Sequence, residues 1–342
     1  MRMTRPRPHL QVQCFCLLAL AATCLSACAK AEAPELVVYT YDSFVSEWGA
    51  GPKLAPLFEK ETGVKVKLLS KGDGGQLLST LVLEGKSCEA DLVLGLDNFL
   101  APKALATGLF RAYEPKGYSA LPAELRLDPK ARLVPFDYGY YSLVWDSAKL
   151  ATPPASLEDL AKPEYARKLI LLDPRTSTPG LGFLAWTKAV YGEAWRDYWR
   201  RLKPSVLVLA PGWDQGYGLF TSGEAPLVLS YATSPAYHLE YEKTERYKAL
   251  SFPEGAIRQV EAAGILASAR HRGNAEKFMD FLVSDVAQRE LPLTQWMYPV
   301  LPSVALPASY RIAPKPAKAL APDPAVLADL AVEAAAILAE GK

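Results

Sequence analysis

Two stretches of the chain carry residue types that can hold a small polar or charged molecule. The first is Asp173-Pro-Arg-Thr-Ser-Thr-Pro-Gly-Leu-Gly182. It sets Thr176, Ser177, Thr178, Pro179, Gly180 and Gly182 just ahead of an apolar, helix-like run. A helix start leaves backbone N–H groups unpaired and carries a partial positive charge. Ser and Thr either cap those donors or join them in facing an anionic or polar ligand group. The second stretch is Gly72-Asp73-Gly74-Gly75. It opens another helical run, either as a plain turn or as a turn that projects Asp73 into a cleft, where a carboxylate pairs with a cationic or amine-bearing ligand. It lacks the Lys-Ser/Thr that a phosphate loop needs. A third segment, Tyr231-Ala232-Thr233-Ser234-Pro-Ala-Tyr237, repeats the Ser/Thr-rich theme after the apolar run Leu227–Ser230. Trp48, Trp213 and Trp296, with Tyr41, Tyr231 and Tyr237, fall at expected strand ends or in loops. Each alone suits a core position. Beside Gly, Ser and Asp they fit a stacking pocket for a planar or cationic ligand.

Catalytic chemistry is poorly represented. The three histidines, His9, His238 and His271, lie far apart, and there is no G-x-S-x-G, Walker or Rossmann fingerprint. The N-terminus reads as a leader: Arg2, Arg5 and Arg7 precede an apolar stretch, Cys14 to Leu25, too short to span a bilayer as a mature helix. It ends in Leu25-Ser-Ala-Cys28, which resembles a bacterial lipobox and implies cleavage before Cys28 with lipid on that cysteine. A plain signal peptide cut near 29–33 is the alternative. Cys14, Cys16 and Cys24 then leave with residues 1–27, residues 28–34 form a tether, and Cys88 alone remains besides Cys28. An intramolecular disulfide and a cysteine metal cluster are therefore not expected. Losing the leader leaves 35 basic against 37 acidic residues, a net charge of −2, which gives no electrostatic footprint for nucleic acid.

The elements that must position these residues alternate. A β-branched run at 35–40, a helical pattern at 51–62 stopped by Gly63, a strand at 64–69, a helix at 75–84 and a strand at 91–95 give the rhythm of a mostly parallel, doubly wound sheet. A longer apolar and aromatic stretch, 133–146, interrupts it. The pattern then resumes with a helix at 156–162, a strand at 168–172, a helix at 181–191, a strand at 205–209, a helix at 213–222 and a strand at 227–231. Residues 261–268 return to apolar character, a helix follows at 274–284, and an Ala-rich helix closes the chain at 323–340 after the Pro-rich connection 299–324. Two α/β blocks with more than one crossover imply two lobes, with ligand at the carboxyl ends of strands between them. The expected division is 35–137 with 260–288 for lobe 1, and 138–259 with 289–342 for lobe 2.

Seven segments, 37–52, 92–98, 134–146, 173–186, 212–220, 227–238 and 295–300, resemble the periplasmic thiamine-binding proteins of bacterial ABC importers, in order and at similar spacing. The resemblance runs from about 35 to 300, and the lipobox departs from the freely soluble members. It implies a type 2 periplasmic-binding fold, α/β throughout, with two lobes closing on a ligand. It implies thiamine, its monophosphate and its diphosphate as ligands, no cofactor, a permease as partner, and a periplasmic monomer anchored only through Cys28. The family's ligand contacts carry over to Asp73, Gly74, Ser177, Thr178, Trp213 and the segment Tyr231, Ala232, Thr233, Ser234, with Tyr41, Tyr237 and Trp296 as further aromatic pocket positions. A binding protein for ferric iron or a polyamine is the first alternative. Against it, the strand pair Tyr140-Tyr141 points to opposite faces, and a polyamine would want more acids than Asp73. A thiamine-degrading enzyme on the same fold is the second alternative, and it would need a nucleophilic cysteine in the cleft. Cys88 stands just ahead of the third strand, at the end away from the cleft.

Overall fold

A computed structural model describes residues 35–322, 324 and 327–340. The leader, the lipidation position Cys28 and the tether lie outside the described residues. From 35 to 106 the chain alternates as its pattern implies: β1 (Glu35–Thr40), the single turn α1 (Asp42–Val45), α2 (Gly51–Thr62), β2 (Lys65–Ser70), α3 (Gly74–Glu84), β3 (Leu92–Asp97) and α4 (Ala101–Ala106). β1 runs parallel to both β2 and β3. α2 buries Leu54 and Phe58 at the spacing of one helical face.

The aromatic stretch becomes one long strand, β4 (Val134–Asp146). Beyond it come β5 (Leu169–Leu172), α5 (Thr178–Tyr191), α6 (Trp195–Leu202), β6 (Val206–Ala210), α7 (Trp213–Ser222), β7 (Leu227–Tyr231), α8 (Ser234–Tyr237) and β8 (Tyr247–Ala249). The chain then returns through β9 (Ala256–Ile265), α9 (Arg272–Leu282), α10 (Asp285–Thr294), the two-residue strands β10 (Tyr298–Pro299) and β11 (Ala319–Leu320), and α11 (Leu327–Ala339). The strand order is β2-β1-β3-β9-β4-β7-β5-β6. The first half of β4 pairs antiparallel with β9, and its second half with β7 and β8. β4 therefore belongs to both lobes, and β9 lies beside it where they join.

Three local departures have simple causes. The helix expected over 156–162 is instead two 3₁₀ turns, Asp159–Ala161 and Pro163–Tyr165. Lys162, the residue before Pro163, is held extended at φ −75° and ψ 149°, which ends the first turn before a helix can continue. α6, an extra helix, buries Trp195, Tyr198, Trp199 and Leu202, an i, i+3, i+4, i+7 set. α10 continues a helix past Pro292, which is buried.

One core cluster holds Leu36, Phe44, Leu54, Phe58, Phe278, Phe281, Leu291 and Val300, so α9 and α10 pack on the β1–α2 side of lobe 1. The other runs from Leu77, Val93 and Phe99 through Tyr141 to Leu171, Leu184, Trp186, Trp199 and Ile337. α11 closes on lobe 2, where Arg196 and Glu333 form a two-pronged ion pair at 2.5 and 2.8 Å. Among the described residues no helix is long and apolar enough to cross a membrane.

Candidate ligand-binding site

The helix starts of both lobes converge on one side chain. Asp73 caps α3: its Oδ1 accepts from the backbone N–H of Gly74 at 2.6 Å, and its own N–H donates to Gln76 at 3.0 Å. The same carboxylate reaches the other lobe. Oδ1 accepts from the N–H of Thr178, the first residue of α5, at 3.3 Å, and Oδ2 from that of Trp213, the first residue of α7, at 3.0 Å. Three helix N-termini thus point at a single half-buried acid, a favourable place for negative charge. Desolvation raises the Asp73 pKa, and the Trp213 and Gly74 N–H groups offset part of that rise. A further bond crosses nearby, from Gly75 N–H to the Thr176 carbonyl at 3.0 Å. Gly74 is required by this approach, because a Cβ there would stand 2.4 Å from Thr178 Cγ2.

This clarifies Asp173–Gly182. Ser177 holds the N-cap position of α5 but makes no capping bond, and its hydroxyl is buried beside Asp73 without a well-formed hydrogen bond. α5 is capped by an acid of the opposite lobe. Thr178 lines the cleft, and its hydroxyl accepts from Gln259 at 3.4 Å.

The cleft encloses about 280 Å³. Tyr41, Asp73, Gly74, Thr178, Trp213, Tyr231, Ser234, Tyr237 and Trp296 all line it. Ser177, Ala232 and Thr233 are buried but absent from the lining, since a turn that aims Tyr231 and Ser234 at the cleft turns Ala232 and Thr233 into the core behind. The lining adds Trp48, Tyr217, His238, Glu242, Glu261, Gln295 and Met297 among others, and among the described residues it contains no Lys or Arg.

Aromatic walls are held by polar bonds behind them. Trp213 donates its indole N–H to Ser230 Oγ at 2.8 Å, and Ser230 is 2.7 Å from Ser234 Oγ. Trp213 stacks on Tyr217 at 4.9 Å and meets Trp48 edge-on at 5.7 Å. Tyr217 follows Trp213 by one helical turn, the spacing that puts both on one face. Its hydroxyl lies 2.9 Å from His238 Nε2, and His238 Nδ1 lies 2.8 Å from Glu242. Burial lowers the His238 pKa against the pull of Glu242. On another side Tyr237 meets Trp296 edge-on at 5.5 Å.

A row of acids runs behind the cleft, with Glu261 its member in the lining. Glu261 on β9 stands in register with Asp97 of β3 and with Asp137 of β4, so three carboxylates lie side by side across neighbouring strands. All three are buried. Burial, reinforced by the neighbouring acids, pushes Asp97 up to about 7, Glu261 up to about 8, and Asp137 well above the usual carboxylate range. Tyr41 donates to Glu261 at 2.6 Å, which works against the rise at Glu261. Gly95 makes room for Tyr41: its φ is +106°, and a Cβ there would stand 2.1 Å from the Tyr41 ring.

Cys88 is buried and does not line the cleft, and burial raises its thiol to about 11. A thiol held that high is a poor nucleophile at neutral pH. Tyr141 is buried, with its hydroxyl toward the Thr178 carbonyl, whereas Tyr140 packs in a separate aromatic group with Tyr138 and Tyr298. Among the described residues no cluster of three or more His, Cys, Asp or Glu is placed to hold a metal ion.

Residues 89–326 match the family described as bacterial extracellular solute-binding protein. The chain is 46% identical over 308 residues to the thiamine-binding periplasmic protein of Brucella abortus, covering 90% of each chain. It is 44% identical over 299 residues to the thiamine-binding periplasmic protein of Escherichia coli, covering 86% of this chain and 89% of that one. Among solved structures, one described as a periplasmic thiamin binding protein superposes with a TM-score of 0.84 at 42% identity, covering 90% of this chain and 95% of that one. Its two-lobed, type 2 periplasmic-binding architecture is the one seen here.

Proposed function

Since the chain belongs to the bacterial extracellular solute-binding proteins, and among them to the thiamine-binding periplasmic proteins, we propose that its cleft takes thiamine and its phosphate esters in the positions its own residues define. The chain is the periplasmic solute-binding component of a thiamine importer, delivering its ligand to an ABC permease. The observation that carries the site assignment is the union of stacked aromatic faces with carboxylates in a lining free of Lys and Arg. Thiamine brings a fixed cationic thiazolium, a flat aminopyrimidine and a hydroxyethyl arm. Trp213, Tyr231, Tyr237 and Trp296 suit the rings and the cation, and Asp73 supplies the opposing charge. Thr178 and Gly74, beside the helix starts that Asp73 caps, suit the hydroxyl or its phosphate. Ser177, Ala232 and Thr233 act from behind the lining, through the turns that carry Thr178, Tyr231 and Ser234.

The chain binds and does not turn over its ligand: Cys88 is remote and its thiol is held protonated. It works as a monomer tethered by lipid on Cys28. Calorimetric titration with thiamine, thiamine monophosphate and thiamine diphosphate tests the reading. Saturable one-to-one binding with unchanged ligand is expected. Absence of heat with all three, or release of a pyrimidine product, would overturn it.

A further inference from the structure

A second polar cluster lines the same cavity, and its hydrogen bonds all run one way. Gln295 donates its side-chain N–H to the Tyr41 phenol oxygen. Tyr41 donates its O–H to Glu261 Oε2 at 2.6 Å, and Gln259 donates to Glu261 Oε1 at 3.3 Å. Gln295 and Tyr41 each thus direct a hydrogen along the cluster toward Glu261, and acceptor oxygens are left over. Gln295 Oε1 is buried without a partner, and Glu261, whose burial favours the protonated acid, still offers a carbonyl oxygen as an acceptor. A buried acceptor left unpaired costs free energy until something donates to it. With no Lys or Arg in the lining, a bound molecule is the natural source.

The backbone supports a built site. Trp296 has φ +58°, a left-handed conformation that a bulky side chain adopts only when its surroundings enforce it. Here Tyr237 meets its ring edge-on and Tyr310 stacks on it at 6.3 Å. That kink lets three consecutive residues, Gln295, Trp296 and Met297, line one cavity, which neither a strand nor a regular helix allows.

Resting on the thiamine reading above, we propose that Glu261 and Gln295 are the specificity pair that reads the exocyclic amine of the aminopyrimidine ring. The amine carries two N–H donors and the pair offers two acceptors, with Tyr41 holding both in place. Trp296 supplies an aromatic surface beside them for the ring. Asp73 bonds the helix starts of α3, α5 and α7 rather than Tyr41 or Gln295 and is left to the charged or hydroxyl parts of the ligand.

The test uses thiamine and its 4-oxo analogue, which replaces the amine by a carbonyl acceptor. Affinities for both are measured by calorimetry, at one pH and ionic strength, for the native protein, Glu261→Leu and Gln295→Ala. Sites built to bond an N–H discriminate strongly against analogues that lack it, so the native protein should prefer thiamine by at least about tenfold. Glu261→Leu keeps much of the bulk but removes both oxygens, so it should lose at least about tenfold of that preference. Gln295→Ala should lose preference in the same direction, and it decides the matter alone if Glu261→Leu fails to fold in a melting scan. Equal native affinity for the two ligands, or a preference unchanged in both folded variants, would overturn the pair. Binding of neither ligand by the native protein would overturn the thiamine reading, and this inference with it.

Discussion

Asp73→Ala probes the point at which the lobes meet. The native carboxylate accepts three backbone N–H groups, two of them from the opposite lobe. Hydrogen bonds to a charged group contribute about 1.5–3 kcal/mol each. Losing the two crossing bonds therefore weakens closure by about 3 kcal/mol at the lower end, less what water recovers at a half-buried site. Small-angle scattering of the variant without ligand should show a larger radius of gyration than the native protein. The variant should also change which ligand is favoured. A phosphate about 5 Å from that carboxylate would be repelled by about 3 kcal/mol per unit charge at an effective dielectric constant of 20. Discounting by about half for exposure and salt leaves about 1.4 kcal/mol, or tenfold. Removing the charge also frees the helix-start donors for an anion. The affinity of thiamine monophosphate relative to thiamine should accordingly rise at least about tenfold in Asp73→Ala. Calorimetry with both ligands, at matched pH and ionic strength, measures the ratio. An unchanged ratio would show that the phosphate never approaches Asp73 and would dissolve the link between the three helix starts and the ester.

Trp213→Ala and Tyr231→Ala should each weaken thiamine binding at least about tenfold, the scale of a desolvated cation–π contact plus stacking; native affinity in both variants would remove that wall from the site. Asp97, Glu261 and Asp137 hold protons more tightly folded than unfolded. Their stabilising contribution is thus complete below the unfolded carboxylate range near 4, and it is lost as pH rises through about 7 to 8 and beyond. Asp137→Asn should therefore raise the melting temperature more at pH 8.5 than at pH 5, by at least about 2 °C; an equal shift at both pH values would mean that the acid row is not coupled to folding. Cys28→Ser should move the protein from the membrane fraction to the soluble periplasm, and mass spectrometry of the native chain should find acyl groups on Cys28; an unmodified N-terminus beyond residue 28 would rule out the anchor.

The parts of this molecule legible in its sequence are those encoded at short range. The β1–α2–β2–α3–β3 frame follows from β-branched runs and a helical stripe closed by Gly63, all within a few turns of chain. The aromatic wall is local too: Trp213 was visible as a loop-end tryptophan, and Tyr217 was within reach of the i, i+4 rule. Register between distant strands is a different kind of information. Glu261 meets Asp97 across some 160 residues of chain and Asp137 across more than 120. Nothing near Glu261 announces those partners, although an acid inside the otherwise apolar run Val260 to Leu266 was a hint. Turn geometry hides a second set. Ser177, Ala232 and Thr233 have the right chemistry but face inward, and Gln295 with Met297 reaches the cleft only through the left-handed Trp296.

These two kinds of information divide the site. Short-range pattern supplies the aromatic faces, which would stack any flat ring. Long-range register, through the strands that join the lobes, supplies the row of acids, while Asp73 is legible locally as the cap of α3 and only its bridge to α5 and α7 is long-range. Since β4 and β9 carry two of the three acids in that row and also connect the lobes, a movement that opens the cleft must act on the backbone that holds those acids. The charge a ligand meets and the closure it completes are therefore set by the same pair of strands, and a change in either strand's register would alter both together.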